Sequence, residues 1–167
     1  MRKPKVMIVM GSDSDLPVMS EAKEVLNGYG IPHEVRIMSA HRSPDDVAAF
    51  AKSARKKGVS VIIAGAGGAA HLAGVIASFT TIPVIGVPMD TKELKGVDSL
   101  FSIVQMPAGI PVATVAIGKA GAKNAGILAA QILSLGDKRL GKMLDEFKKK
   151  LVKGVREKNK KLCSCGS

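Results

Sequence analysis

Aromatic residues are scarce in this 167-residue chain, where they make up 3% of the sequence and include no Trp. Proteins that bind single-stranded nucleic acid usually stack successive bases on aromatic rings, so the composition argues against that class. The core must instead be built from aliphatic residues and Met, which fits a hydrophobic content of 46%. At this length we expect one domain with a sizeable core.

Cysteine is also scarce, because Cys163 and Cys165 are the only two and both lie in the last five residues. A C-x-C pair cannot complete a zinc site by itself, and no His lies nearby in the sequence. We therefore expect free thiols in a frayed tail and no metal. The first residues, MRKPKV, lead straight into a strand-like run without a secretory signal. Both observations favour a cytoplasmic location.

Uncharged runs at residues 59–79 and 99–118 are long enough to raise the question of a membrane span. The first run is interrupted by glycines and His71, and the second by Pro107 and Pro111. Such interruptions are typical of buried strand–turn–helix passages. The sequence therefore predicts no membrane partner.

A net charge of +11 suggests nucleic-acid binding, but the charge is concentrated near the C-terminus. Residues 137–161 hold eleven Lys or Arg and four Asp or Glu. Apolar residues from Leu140 to Val155 recur there every three or four positions, which indicates an amphipathic helix with a basic back. We expect it to dock on its own or a neighbouring subunit, and not on nucleic acid or an anionic membrane. The organisation predicted is an α/β domain at 1–136, followed at 137–167 by this helix and tail, which belong to the same domain or form its oligomer interface.

The rest of the chain alternates short β-branched runs with helical stretches. Ser43 is expected to cap one helix, with Pro44 at its first position. Strands that are almost wholly apolar are covered on both faces. Five such units predict a three-layer α/β sandwich with a parallel five-stranded sheet. The predicted strands are 5–10, 33–39, 59–65, 83–88 and 111–118, and the predicted helices are 16–27, 43–57, 69–79, 100–106, 120–135 and the basic segment.

Three loops follow strands and precede helices, at residues 11–15, 39–43 and 65–71. Ligands of open parallel sheets bind beyond the carboxyl ends of the strands, so these loops should meet at one rim. The third loop, GAGGAAH, matches a dinucleotide fingerprint by letters, but it follows the third strand and not the first. Without the fingerprint, one physical property of this loop still points to a ligand: its glycines let the backbone approach a bound molecule closely.

The first loop, GSDSD, offers hydroxyl and backbone N–H groups at a helix N-terminus, which suits a phosphate. Its aspartates would repel a phosphate. The conflict is resolved if Asp15 accepts hydrogen bonds from a neutral group such as a ribose diol, while Ser12 meets the phosphate. The alternative is that the loop only caps the first helix.

The second loop places His41 beside Arg42. An imidazole can both give and take a proton near neutral pH, and a guanidinium suits a bidentate phosphate contact. His41 is therefore our candidate for proton transfer and Arg42 for anion binding. His33, at the start of a strand on the opposite rim, is expected to be structural, and His71 to support the site indirectly.

Several long motifs resemble the class I N5-carboxyaminoimidazole ribonucleotide mutases. They are MGSDSDLPVM, MSAHRSPDD, VIIAGAGGAAHLAG, PVIGVPM and the run from GVDSLFSIVQMP to AAQIL, and they cover about residues 5–135. The resemblance implies a flavodoxin-like fold, a homo-octamer and no ATP, metal or organic cofactor. It also implies transfer of a carboxylate from the exocyclic amine of an aminoimidazole ribonucleotide to carbon 4 of the ring, in purine biosynthesis.

The resemblance implies roles for individual residues. His41 matches the family's general acid/base, and the family's substrate-binding positions fall on Ser12, Asp15 and Arg42. Two departures are Ala73, where the family usually has Pro, and Leu16, where many relatives have Trp. The neighbouring loop residues that we expect to line the substrate pocket are Ser39, Ala40, Gly67, Gly68 and His71.

Three other functions are compatible with the same rim. The nearest is the class II reaction, in which aminoimidazole ribonucleotide is carboxylated directly with carbon dioxide. A protein that binds a nucleotide phosphate without catalysis is a second. A flavin-binding module is a third, although the lack of aromatic residues argues against ring stacking.

Overall fold

The computed structural model describes residues 5–164, which form a five-stranded sheet and the helices around it. Strands and helices alternate along the chain up to its last two helices, which follow each other directly, and one turn of 3-10 helix, Asp13–Asp15, precedes the first helix. The strands are β1 (Val6–Met10), β2 (His33–Ile37), β3 (Val61–Ala66), β4 (Val84–Pro88) and β5 (Ala113–Thr114). The helices are α1 (Leu16–Gly28), α2 (Pro44–Ala54), α3 (Leu72–Phe79), α4 (Val97–Val104), α5 (Gly118–Ser134) and α6 (Lys138–Ser164).

The sheet has the order β2-β1-β3-β4-β5, and all of its strand pairs are parallel. In the register, Val6 of β1 lies between His33 of β2 and Val61 of β3. Every residue of β1, β3 and β4 is buried, as expected where helices cover both faces of a parallel sheet. The predicted α/β class with a flavodoxin-like parallel sheet is confirmed.

Helices pack on both faces of the sheet. On one face, α2, α3 and α4 contribute Phe50, Ile76 and Ile103 to a buried cluster with Met7 and Ile62. On the other face, the first part of α5 packs on α1, where Gly126 lies against Val25 and Ala22. The buried side chains of both faces are aliphatic residues and Met, with few aromatics, in agreement with the composition.

The last strand is much shorter than predicted. The sequence suggested 111–118, but β5 contains only Ala113 and Thr114, and neither residue is buried. This strand lies at the edge of the sheet, where an apolar sequence does not guarantee coverage by helices. The preceding Pro111 also lacks the N–H that a longer ladder would need.

The helix predicted at 100–106 is α4, Val97–Val104, and two other details at helix starts also differ from prediction. Helix α3 begins at Leu72, because the predicted first residues form a turn in which the N–H of His71 donates to the carbonyl of Ala69. Ser43 does occupy the N-cap position of α2, but its side chain caps no helix N–H. The Ser43 hydroxyl instead bonds the backbone of Ser39, at 3.2 and 3.3 Å, and thereby closes the second rim loop.

The chain divides into two compact units, Met1–Ala129 and Ala130–Ser167, with the division inside α5. In the second unit, Asp137 caps α6 by accepting from the N–H groups of Arg139 and Leu140. Leu140 and Leu144 are buried, whereas Leu151, Val152, Val155 and Leu162 are at least half exposed. Within residues 5–164, no helix combines the length and the hydropathy that a membrane crossing requires. The predicted free thiols remain a prediction, because Cys165 and the side chain of Cys163 lie outside the described part.

Candidate active site

A cavity of about 380 Å³ lies beyond the carboxyl ends of β1, β2 and β3, where the three rim loops meet. Eight of the nine residues predicted for the site line it, and the exception is Gly68. A larger cavity of about 830 Å³ lies elsewhere in the fold, but no His, Asp or Glu lines it. The smaller cavity is therefore the candidate site. Its lining consists of Gly11, Ser12, Ser14, Asp15, Ser39, Ala40, His41, Arg42, Ala66, Gly67, Ala69, His71 and Leu72.

The two histidines of this cavity contact each other. Nε2 of His41 lies 2.8 Å from Nδ1 of His71, and the rings meet edge to face with centroids 4.9 Å apart. One ring must donate the shared hydrogen and the other must accept it, so at least one of the two is neutral. His71 occupies the N-cap position of α3, directly after the Gly-rich turn. The sequence suggested an indirect supporting role for His71, and the structure places it in direct contact with His41.

Arg42 ties the first two loops together. One Nη of its guanidinium donates to the carbonyl of Gly11 at 2.7 Å, and Nε donates to Oγ of Ser39 at 3.3 Å. The backbone N–H of Arg42 donates to the same Ser39 oxygen at 3.2 Å. These bonds hold the guanidinium at the cavity while leaving other N–H groups of its planar fork to bind an anion.

The first loop contains a half-buried carboxylate. Burial raises the pKa of Asp15, and the neighbouring charge of Asp13 acts in the same direction, while hydrogen bonds from the Ser12 backbone and the Ser14 side chain oppose the rise. The Ser12 hydroxyl accepts from the N–H of Ser14 and so caps the 3-10 turn rather than α1. Asp15 occupies the N-cap position of α1, but its side chain caps no helix N–H. The loop therefore does more than cap the first helix, since Ser12 and Asp15 line the cavity.

The third loop is anchored from behind by α4. Gly68 has a positive φ of 62°, its N–H donates to Oγ of Ser99 at 2.9 Å, and its carbonyl accepts from Oγ of Ser102 at 3.1 Å. Both backbone polar groups of Gly68 are therefore engaged, and the residue does not line the cavity. Sequence reasoning missed both serines. The available signal was their occurrence three positions apart in the otherwise apolar stretch SLFSIV.

His33 lies away from these loops, at the start of β2, where its Nδ1 contacts the carbonyl of Ile31 at 2.8 Å. This local contact fits the structural role expected for it. Among residues 5–164, no group of three or more His, Cys, Asp or Glu is arranged to hold a metal ion.

The fold and the site together define an α/β protein with a cavity at the rim of a parallel sheet, lined by the Arg42 guanidinium and by two imidazoles in contact with each other. The AIR carboxylase family model matches residues 5–153, and the chain belongs to this family.

Curated relatives are named N5-carboxyaminoimidazole ribonucleotide mutase. The protein from Thermotoga maritima is 56% identical over 98% of this chain and 94% of its own length. The Bacillus subtilis protein is 54% identical over 96% and 99%, and the Escherichia coli K12 protein is 57% identical over 87% and 86%. Among solved structures, Treponema denticola PurE matches with a TM-score of 0.85 and 30% identity, covering 95% of this chain and 98% of that one.

Proposed function

We propose that this protein is an ATP-independent mutase that converts N5-carboxyaminoimidazole ribonucleotide to 4-carboxy-5-aminoimidazole ribonucleotide in purine biosynthesis. Relatives of that name, at 54–57% identity over most of the chain, support the reaction. The observation that carries the proposal is the His41 imidazole, bonded to His71 in the same cavity as the Arg42 guanidinium. No metal, ATP or organic cofactor is assigned a step.

Substrate binding is assigned to the first two loops. Arg42 and Ser12 hold the 5-phosphate, one through guanidinium N–H groups and the other through its hydroxyl and the backbone of the turn. Asp15 accepts hydrogen bonds from the ribose hydroxyls. A carboxylate suits neutral hydroxyls better than the phosphate, because this arrangement avoids placing two anions together.

His41 moves one proton in each direction. Protonated His41 gives its proton to the carbamate nitrogen, the bond between this nitrogen and the carboxyl carbon breaks, and carbon dioxide is released. Carbon 4 of the ring then attacks the carbon dioxide to form the new carbon–carbon bond. Neutral His41 takes the proton from carbon 4, which restores the aromatic ring and the starting state of the imidazole.

Carbon dioxide must stay beside the ring between these steps. The third loop contributes the small residues Ala66, Gly67 and Ala69, and Leu72 adds an apolar side chain. Walls of this kind exclude water and offer no partner to a carboxylate, which favours its loss from nitrogen. Holding the gas near carbon 4 makes recapture faster than escape.

The experiment is an ATP-free spectroscopic assay with substrate carrying a labelled carboxylate, in a solution of unlabelled carbon dioxide. Retention of the label in the product supports the mutase. Complete dilution of the label would indicate the class II reaction with free carbon dioxide. Binding of the ribonucleotide without any product would leave the non-catalytic phosphate-binding function.

We also propose that the chain acts as a homo-octamer in the cytoplasm. Exposed apolar side chains support self-association: Val97, Phe101 and Val104 of α4 are 44, 57 and 47% exposed. Light scattering on the purified protein tests the assembly, with Phe101→Asp expected to lower the mass of the particle. Fractionation of cells that express the native protein tests the location.

A further inference from the structure

Helix α4 holds a fully buried serine behind the site, although no residue of this helix lines the cavity. Ser99 is 0% exposed, and its Oγ accepts the N–H of Gly68 at 2.9 Å. One turn later, Ser102 donates to the carbonyl of the same glycine at 3.1 Å. Two side chains of α4 therefore hydrogen-bond both the N–H and the carbonyl of Gly68, in the third rim loop.

The conformation of Gly68 makes these two hydrogen bonds important for the site. Its φ of +62° is a left-handed conformation that few residues adopt without strain. From this turn, short backbone bonds lead directly to the histidine of the site: Ala70 donates to Gly68 and His71 donates to Ala69, each at 2.8 Å. The position of the His71 imidazole, and of the cavity wall before it, therefore depends on where Gly68 is held.

Hydrogen bonds from the preceding loop also hold the start of α4. Thr91 donates to Asp98 at 2.7 Å and accepts from the N–H of Gly96 at 3.0 Å. The same connection packs behind the turn, because a Cβ at Gly67 would lie 3.3 Å from Cβ of Met89. Helix α4 is thus held by contacts of its own, which are independent of its bonds to Gly68.

We propose that Ser99 is a positioning residue for the carboxylate transfer: by anchoring Gly68 it keeps the third loop closed on the substrate, so that released carbon dioxide is recaptured. This inference rests on the proposed function. Ser99 acts through the loop and does not touch the substrate. Its loss should therefore affect the fate of carbon dioxide more than the binding of the ribonucleotide, whose phosphate and ribose are assigned to the other two loops.

The test is Ser99→Ala, assayed with N5-carboxyaminoimidazole ribonucleotide. We expect kcat to fall about tenfold, with a smaller change in KM, because the loop is displaced from its productive geometry. The decisive measurement is the ratio of free aminoimidazole ribonucleotide to carboxylated product, which should rise several-fold. The free ribonucleotide that forms without enzyme is subtracted, so that a general loss of folded protein lowers both enzymatic products equally and leaves this ratio unchanged. Ser53→Ala is the matched control, since that half-buried hydroxyl only bonds the Phe50 carbonyl of its own helix.

A second pair of variants tests the same turn without changing the core. A Cβ at Gly68 would meet no atom within 4 Å, so Gly68→Ala has room for its side chain and Gly68→Asn has room for its Cβ. Asn tolerates a positive φ better than Ala. Gly68→Ala should therefore raise the ratio of escaped to transferred carboxylate, and Gly68→Asn should restore it toward the wild-type value.

The outcomes separate the two proposals. If the wild-type protein forms no carboxylated product from this substrate, the proposed function is wrong. The proposed role of Ser99 is wrong if the wild type forms product and the folded Ser99→Ala and Gly68→Ala variants release no more free ribonucleotide than the wild type does. Should Ser99→Ala not fold, the Gly68 pair decides alone.

Discussion

Nε2 of His41 and Nδ1 of His71 lie 2.8 Å apart, although thirty positions separate the two residues in the chain. The bond constrains the proposed proton transfer. While Nε2 is shared with His71, it cannot serve the substrate, so either Nδ1 of His41 transfers the proton or the ring turns away from His71 when substrate binds. In both cases His71 sets the orientation and hydrogen placement from which His41 starts.

The first prediction concerns His41 itself. His41→Asn should lower turnover by about 10²–10⁴-fold, because Asn cannot exchange a proton with the substrate. Affinity for the carboxylated product, measured by calorimetry, should change only a few-fold, since the phosphate and ribose contacts remain. His33→Asn is the control and should keep turnover within about twofold. Full activity of His41→Asn would remove the imidazole from the mechanism.

The second prediction concerns the partner ring. His71→Asn can still hydrogen-bond His41, but an amide cannot give and take a proton as an imidazole does, so we expect turnover to fall about tenfold. Steady-state turnover of the variant, measured beside the wild type, checks this expectation. Unchanged turnover would show that His71 only fills space.

The location of the site could be predicted from the sequence because it follows from a general rule for parallel sheets. Parallel strands end at one edge of the sheet, so the loops that hold Ser12, His41 and Gly67 had to converge there. Buried strands were found from apolar runs, since the central strands β1, β3 and β4 are covered on both faces. These features depend on local pattern and topology alone.

The features of the site that could not be predicted depend on contacts between segments that are distant in the sequence. Neither the bond between His41 and His71 nor the anchoring of Gly68 by Ser99 follows from any local spacing. The side-chain role of Ser43 was wrong for the same reason, because a preceding loop offered its hydroxyl a better partner than the helix N-terminus.

The third prediction concerns the phosphate contact. Arg42→Lys loses the planar fork that bonds Gly11 and Ser39 at the same time, so the cation would no longer be fixed at the cavity. We expect KM to rise about tenfold or more with a smaller effect on kcat, as for a group that binds substrate and transition state alike. Arg36→Lys, at an exposed pair with Glu34, should leave both constants unchanged. A selective loss of kcat in Arg42→Lys would instead place the guanidinium at the reacting carboxylate.

The fourth prediction concerns the packing of the sheet beneath the site. A Cβ at Gly86 in β4 would overlap Cγ2 of Ile103 and lie 3.0 Å from Cγ1 of Val112. These branched side chains cannot swing aside easily, so Gly86→Ala should lower the free energy of unfolding by about 1–3 kcal/mol. Gly28→Ala meets no atom within 4 Å and should be neutral or slightly stabilising. Urea unfolding of both variants measures the difference, and equal midpoints would contradict the packing around Gly86.

The fifth prediction concerns the dependence of stability on pH. Burial raises the pKa of Asp15 above the ordinary value of 3.8, so between that value and the raised one the folded state binds more protons than the unfolded state. The carboxyl therefore makes folding less favourable as the pH rises through this window, and the penalty persists at neutral pH. Asp15→Asn removes the charge, and we expect its Tm to exceed that of the wild type at pH 7 while the difference shrinks at pH below 3.8. Thermal unfolding across this range, with the exposed Asp90→Asn as control, measures the effect. If Asp15→Asn is less stable at pH 7 and the two proteins converge only in acid, the charged carboxylate stabilises the loop, and the hydrogen bonds from Ser12 and Ser14 outweigh its burial.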